Sequence, residues 1–307
     1  MQIHQDFQWL DPNARGASVA MGNFDGVHLG HRSVIDLARP YGPLGIVTFE
    51  PHPREYFAPN APPFRLMNAE ARSNRLAKLG VKQLFQLPFN AAMASLTPET
   101  FAREILSQGL GVAHVVVGAD FCFGKGRAGR AVDLQALGQR YGFGVTVADL
   151  VKSAGREISS TAIRQALTDG RPRDAAAMLG HWHRIDGEVI HGEKRGRELG
   201  YPTANMSVQG LHLPKLGVYA VKVDVLTGPQ AGSYHGAASL GVRPMFGENT
   251  PNLETYIFDF KGDLYGQHVS IGLVDYLRPE MKFDGLPGLM TQMAADVAQA
   301  REILTTL

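Results

Sequence analysis

The feature that most constrains this chain is a change of rhythm near residue 180. Up to Leu179, short β-branched runs at 17–21, 44–49, 83–87, 113–118 and 143–150 alternate with helix-like stretches at 30–39, 68–79, 98–108 and 133–141. Such alternation predicts an α/β domain with a mostly parallel sheet. Thr97-Pro98-Glu99 starts its helix well, with Thr97 as N-cap and proline at the first helical position. Two more short helices are expected at 162–167 and 174–179. From Trp182 onward the pattern is strands and turns instead, at 183–190, 217–225, 235–241, 253–260 and 267–276. Closely spaced strands separated by turn residues predict a small antiparallel barrel. Leu286, Leu289, Met290, Met293, Ala294 and Val297 then recur at helical spacing, which predicts a terminal helix packed on that barrel. The domain boundary is expected at 180–184, giving domains 1–182 and 183–307.

Composition excludes several classes. With 30 basic against 29 acidic residues and a net charge of +1, the chain has no field that favours nucleic acid or an anionic membrane. Phosphate chemistry must then come from local clusters. Cys122 is the single cysteine, so neither an internal disulfide nor a cysteine-rich zinc site is expected, which suits a reducing compartment. Residues 1–10 carry neither a basic n-region nor an apolar h-region, and no apolar run approaches the ~20 residues of a spanning helix. A cytoplasmic protein with small-molecule substrates and no nucleic-acid or membrane partner is the expectation. The sequence leaves room for a homo-oligomer.

Directly after the first strand comes Gly22-Asn23-Phe24-Asp25-Gly26-Val27-His28-Leu29-Gly30-His31. Glycines let backbone amides approach a ligand, and a helix N-terminus favours anions. His28 and His31, three apart with Gly30 between, are able to address the same phosphate; two surface histidines are the plainer alternative. Ile158-Ser159-Ser160-Thr161-Ala162-Ile163-Arg164 follows the fifth strand and also opens a helix. Three hydroxyls and an arginine one turn in suit a second anion site or a simple Ser/Thr cap. A decoy lies between: Gly124-Lys125-Gly126-Arg127-Ala128-Gly129 spells GxGxxG. Its glycines fall at neither the strand end near Gly118 nor the helix start near Asp133, so a basic loop fits better than a dinucleotide fingerprint. There is no P-loop motif.

Together, HxGH after strand one and SSTxxR after strand five resemble the nucleotidyltransferase superfamily. Thr48-Phe49-Glu50-Pro51-His52-Pro53-Arg54-Glu55 and the stretch from Val117 through Asp120, Phe121, Cys122 and Phe123 narrow this. They look like the FMN adenylyltransferase half of bacterial bifunctional riboflavin kinase/FAD synthetase. The resemblance implies a Rossmann-like nucleotidyltransferase domain. Gly22, Phe24, His28 and His31 would bind ATP; Ser159, Ser160, Thr161 and Arg164 would form the pyrophosphate loop; Asp120 would contact the nucleotide. Phe57, Phe121 and Phe123 are candidates to flank the flavin ring, and each equally suits a core.

The later half carries His191-Gly192-Glu193-Lys194-Arg195-Gly196-Arg197-Glu198-Leu199-Gly200-Tyr201-Pro202-Thr203-Ala204-Asn205. Glycines and cations in one loop suit polyphosphate, which makes Gly192, Arg195, Gly196, Arg197 and Gly200 ATP-binding candidates. Thr203 and Asn205, two apart on an extended segment, face one side and offer hard ligands for Mg²⁺. Glu254, in the apolar strand 253–260, suits a general base for a primary alcohol or a buried structural carboxylate. These stretches, with those around Tyr219, Ser239, Tyr265 and Arg278, resemble riboflavin kinase: a flattened barrel with a terminal helix. The resemblance makes Glu254 the group that acts on the 5′-hydroxyl of riboflavin and places Arg278 beside the flavin. It covers nearly the whole chain, departing at Cys122, where many members carry Arg, and Tyr201, where Phe is common.

The resemblance implies two successive reactions. Riboflavin and Mg·ATP give FMN in the barrel, and FMN and a second ATP give FAD and pyrophosphate in the sheet domain. His28, His31 and Arg164 serve as electrostatic clamps in the second. One rival is an N-terminal half acting on another nucleotide; the other is a flavin carrier with inactive remnants. Intact His28, His31, Thr203, Asn205 and Glu254 count against the carrier.

Overall fold

The β-branched runs build a parallel sheet because their helices cover both of its faces, leaving every position on a central strand in apolar surroundings. In the computed structural model, which describes residues 1–149, 152–153, 156–192, 196, 199–245 and 248–307, contacts divide the chain into two units. One is Met1–Pro62 with Arg72–Ile158, and the other is Pro63–Ala71 with Ser159–Leu307. This grouping by contact differs from the 182/183 boundary expected from the pattern, since 159–182 groups with the barrel.

In the first unit the strands are β1 (Gln2–His4), β2 (Ser18–Met21), β3 (Leu44–Glu50), β4 (Gln83–Pro88), β5 (His114–Gly118) and β8 (Gly144–Ala148). They lie in the order β1-β4-β3-β2-β5-β8, each pair parallel. Two short antiparallel pairs accompany them, β6 (Cys122–Phe123) with β7 (Gly129–Arg130) and β9 (Lys152–Ser153) with β10 (Arg156–Glu157). The chain runs outward from β2 through β3 to β4 on one side, and β5 and β8 occupy the other. The order therefore reverses between β2 and β5, and open parallel sheets bind ligands in the crevice at the carboxyl ends of such a pair. All four residues of β2 are buried. Helix α1 (Leu29–Ala38) follows β2 and buries Ile35 and Ala38. The helix expected at 98–108 is present in two forms. A single turn, Pro98–Thr100, is capped by Thr97 and runs into a π-helix at Phe101–Gly109.

In the second unit six antiparallel strands follow the order β11-β16-β13-β14-β15-β12. They are β11 (His183–Glu188), β12 (Thr203–Ser207), β13 (Gly217–Val225), β14 (Gly232–Met245), β15 (Glu248–Ile257) and β16 (His268–Arg278). Among the described residues, an antiparallel bridge from Ile190 to Asn205 joins the two edges. Alternate residues such as Tyr219, Val221, Val223, Leu240, Leu253, Ile271 and Leu273 fill the interior. The terminal helix, Leu286–Thr305, packs Ala300 and Leu304 against Ala220, Ala237, Phe258 and Val274 on the outer face. Leu286 stays exposed. Helices α7 (Ser160–Thr168) and α8 (Pro172–Leu179) share a small core of Ile163, Ala166, Leu167, Ala175 and Leu179, joined by Leu66.

Candidate active sites

In the first unit, β2 delivers the chain to the reversal point, where a tight turn carries Phe24 at φ 52° and Val27 at φ 43°. Both side chains are buried. Left-handed backbone at a β-branched residue costs on the order of 1–3 kcal/mol, and such strain concentrates at binding sites. The turn aims the chain into α1. His28 is the N-cap, and its Nδ1 accepts the His31 backbone N–H at 3.2 Å. This bond requires an unprotonated Nδ1 and so places the neutral ring's proton on Nε2. A Cβ at position 30 would stand 3.1 Å from the His28 ring, so Gly30 makes room for it. The His28 and His31 rings stack at 3.6 Å and 15°, and Phe24 flanks His31 at 5.2 Å. His31 Nδ1 is enclosed without a hydrogen-bond partner among the described residues. Burial, and then the neighbouring His28, push its pKa well below the ordinary value. His31 is therefore held toward its neutral form by its surroundings. The amides of the first turn of α1 suit an arriving anion, which would also favour protonation of the neighbouring rings.

Asp120 lies in the exposed turn after β5, on the other side of the crevice. A Cβ at Gly118 would stand 3.1 Å from its carboxylate, so the side chain folds back over the strand end. Gly22 lies against the Phe24 ring. The aromatic candidates are two ends of one run of ring contacts: Phe57–Phe89–Phe49–Phe101–Phe123–Phe121. Phe57 is 67% exposed and meets Tyr56 edge to face. Phe121 is half-buried. Phe123, 7% exposed, is the one the structure assigns to the core, its ring taken up by Phe101 and Phe121. Sequence reasoning missed Phe89 and Tyr56. It also missed Arg72, which is 2% exposed and pairs with Glu50 at 2.8 Å. Arg72 also donates to Gln86 and to the Asn23 carbonyl, tying the ends of β3 and β4 to the turn after β2.

In the second unit, Ser159 caps α7, its Oγ accepting the Ala162 N–H at 3.3 Å. Ser160 and Thr161 occupy the first turn. Arg164 donates to Thr161 Oγ1 and to the Phe64 carbonyl, both at 3.3 Å. Hydroxyls, helix amides and a guanidinium therefore gather at one helix start, as their spacing implied.

The barrel brings the remaining candidates together by register. Strands β12 and β15 pair Thr203 with Tyr256 and Asn205 with Glu254. Because residues two apart share a face, Thr203, Asn205, Asn252 and Glu254 are neighbours. Thr203 Oγ1 lies 3.4 Å from Asn205 Nδ2, and Asn252 Nδ2 lies 3.2 Å from Asn205 Oδ1 and 3.5 Å from Glu254 Oε1. Asn205 turns its amide nitrogen to Thr203 and its oxygen to Asn252, so a hydroxyl and an amide lie side by side on one face next to the Glu254 carboxylate. A Cβ at Gly192 would sit 2.5 Å from the Asn205 amide, and one at Gly196 would sit 2.4 Å from the Tyr201 carbonyl, so both positions demand glycine. Gly200 adopts φ 80°. Arg195 and Arg197 lie outside the described residues.

Thr203 borders two cavities. One, about 190 Å³, is lined by Glu254, Ser239, Arg278 and the terminal helix through Leu289, Met293 and Val297. The other, about 460 Å³, is lined by Pro202, Lys261, Gly262, Asp263 and Tyr265. Arg278 is held by Asp296 of the terminal helix, its Nε and Nη2 bonding the carboxylate at 2.7–3.1 Å. The half of the apolar stripe nearest the start of that helix thus lines a cavity beside Glu254, while the barrel contact falls to Ala300 and Leu304.

The FAD synthetase family pattern matches residues 10–162 and the riboflavin kinase pattern matches residues 179–304. The bifunctional riboflavin kinase/FMN adenylyltransferase of Pseudomonas fluorescens is 39% identical over 99% of this chain and 98% of its own length. That of Escherichia coli (strain K12) is 38% identical over 94% and 92%. A crystal structure titled a macrolide-efflux protein from Streptococcus pneumoniae superposes with a TM-score of 0.79 at 31% identity, covering 96% of each chain. Among the described residues of this chain, no helix is long and apolar enough to cross a membrane. By both patterns and by these relatives, the chain belongs to the bifunctional riboflavin kinase/FMN adenylyltransferase family.

Proposed function

We propose that the two reactions of the family divide between residues 183–307, which phosphorylate riboflavin to FMN, and residues 1–182, which adenylylate FMN to FAD. The observation that carries the kinase assignment is that Thr203 borders both cavities, with Glu254 in one and the Lys261–Tyr265 turn beside the other. A flavin ribityl chain in the first and ATP in the second would meet at Thr203. Glu254 takes the proton from the 5′-hydroxyl, whose oxygen attacks the γ-phosphorus while ADP departs. Thr203 and Asn205 would hold Mg²⁺, which would supply charge neutralisation on the phosphates. Gly192, Arg195, Gly196, Arg197 and Gly200 cover the polyphosphate, and Arg278, anchored by Asp296, lies beside the flavin.

In adenylyl transfer an FMN phosphate oxygen attacks the α-phosphorus of a second ATP and pyrophosphate leaves. The attacking phosphate is already ionised at neutral pH, so no general base is assigned. His28, His31 and the α1 amides, with Gly22 and Phe24 shaping the turn, bind the ATP phosphates. Ser159, Ser160, Thr161 and Arg164 receive the pyrophosphate, and Asp120 contacts the nucleotide. Phe57 and Phe121 offer ring surface to the flavin. A cytoplasmic location, which the single cysteine suits, completes the reading.

Incubating the purified chain with riboflavin and Mg·ATP tests it. FAD and pyrophosphate are the expected products. FMN alone would assign the N-terminal half to another nucleotide, and unchanged riboflavin would make the chain a carrier.

A further inference from the structure

Arg164 belongs by sequence to the adenylyl-transfer motif, yet the groups that hold it include a residue of the kinase half. Its guanidinium donates to the Phe64 carbonyl at 3.3 Å and lies 5.9 Å over the Phe64 ring. Its own carbonyl takes a bond from His212 Nε2 at 3.1 Å. The same Nε2 lies 3.1 Å from Thr168 Oγ1, which itself donates to the Arg164 carbonyl at 2.9 Å. His212 falls within the matched riboflavin kinase span, in the stretch between β12 and β13.

The two grips on Arg164 are stitched to each other. The His212 backbone N–H donates to the Arg65 carbonyl at 2.8 Å, and Leu211 forms a parallel bridge with Arg65. Phe64–Arg65 thus runs as a strap between the barrel stretch 211–212 and α7. Leu66, at the end of the strap, is buried among Ile163, Ala166 and Leu167 of that helix. Lys215 adds a backbone bond to the Leu167 carbonyl at 2.9 Å. Burial keeps the His212 imidazole below its ordinary pKa, so it is neutral at pH 7, and bonding a carbonyl through Nε2 requires the proton on that nitrogen.

We propose that His212 is a positioning residue for adenylyl transfer, acting through Arg164, although it lies in the half that phosphorylates riboflavin. A long guanidinium side chain loses rotamer entropy when it is fixed on a ligand. His212 on the Arg164 carbonyl, bound in turn to the strap that holds the guanidinium, fixes the residue beforehand and removes part of that cost from the binding step. The barrel would therefore set the geometry of the pyrophosphate cation in the other reaction. This rests on the reading of Arg164 as that cation.

The test uses the full chain and both assays. His212→Ala is expected to raise the ATP KM of FMN adenylylation and the inhibition constant of inorganic pyrophosphate by about fivefold, the loss of one hydrogen bond. Riboflavin phosphorylation by the same preparation should be unchanged, which also shows that the barrel has folded. His212→Gln, whose amide nitrogen can take the place of Nε2, should restore both constants. The inference is overturned if His212→Ala leaves adenylylation untouched, depresses both activities alike, or is not rescued by glutamine. Arg164→Ala separates the two levels. If it leaves pyrophosphate inhibition unchanged, the reading of Arg164 itself falls and the inference with it. If it abolishes that inhibition while His212→Ala is silent, only the inference falls.

Discussion

The two candidate sites are assembled in opposite ways. In the parallel sheet, groups that meet are close in sequence: His28 and His31 stack because three residues separate them at one helix start. In the barrel, groups that meet are distant: Asn205 and Glu254 are neighbours only because β12 and β15 pair in one register. The stacked pair at a helix start is set by local spacing. A cross-strand site depends on every element that sets the register. The first kind is built of backbone amides and imidazoles, suited to holding phosphates still. The second places a carboxylate beside a hydroxyl and two amides, the grouping on which the kinase proposal rests.

That contrast predicts separable losses. The largest should follow Glu254→Gln, which removes the base: FMN formation should drop by about 10²–10⁴-fold, while FMN-to-FAD conversion by the same sample stays near wild type. A parallel fall in both, read by product chromatography, would break the division. Next comes His28. Asparagine keeps an N-cap acceptor but removes the imidazole, so His28→Asn should hold the melting temperature near that of wild type and slow adenylylation by about 10²-fold, with FMN accumulating. If the asparagine variant were fully active, His28 would be a cap and nothing more. A smaller effect is expected from Thr203→Val, which keeps the β-branched shape. The Mg²⁺ concentration giving half-maximal kinase rate should rise about tenfold, with adenylylation unaffected; an unchanged Mg²⁺ requirement would remove Thr203 from the cation.

The smallest effect concerns acid. His183, buried in β11, is held down to about 3 by burial first and then by His181 and His212. Its folded pKa lies below the unfolded value of about 6.5. The unfolded chain therefore binds the extra proton between those values, and stability falls as pH drops through that window. His31 acts in the same sense in the first unit. His183→Gln should flatten the decline of melting temperature between pH 6.5 and 4. An identical slope in the variant would assign the acid sensitivity elsewhere.

Much of this was legible in the linear chain because the signals are local. β-Branched runs marked the strands, and the stretch 217–225 coincides with β13. Histidine spacing, the serine-rich cap and the Thr-x-Asn alternation each follow from a single period. What stayed hidden depends on distant partners. Arg72 reads as a surface position on a polar helix, and only folding surrounds it with Glu50 and Gln86. Asn252 becomes a neighbour of Asn205 through register, and His212 reaches Arg164 across 48 residues. β1 is three residues long and carries no run to notice. The π-helical turn at Phe101–Gly109 shares its apolar spacing with an α-helix too closely for pattern alone to separate them. Helices 160–168 and 172–179 continue the alternating rhythm, but they bury their faces with Leu66 and group with the barrel.

Gly192 has a consequence beyond its own loop. β12 is laddered to β15 on one side and held on the other by the Ile190 N–H to Asn205 carbonyl bond, and a slide by two residues would keep the same faces buried while exchanging Asn205 for Ser207 opposite Glu254. The void left by the missing methyl at 192 is shaped to one amide, that of Asn205. Gly192 thus helps to index the register of the strand that follows it, because only a glycine there leaves the Asn205 amide its place opposite Glu254.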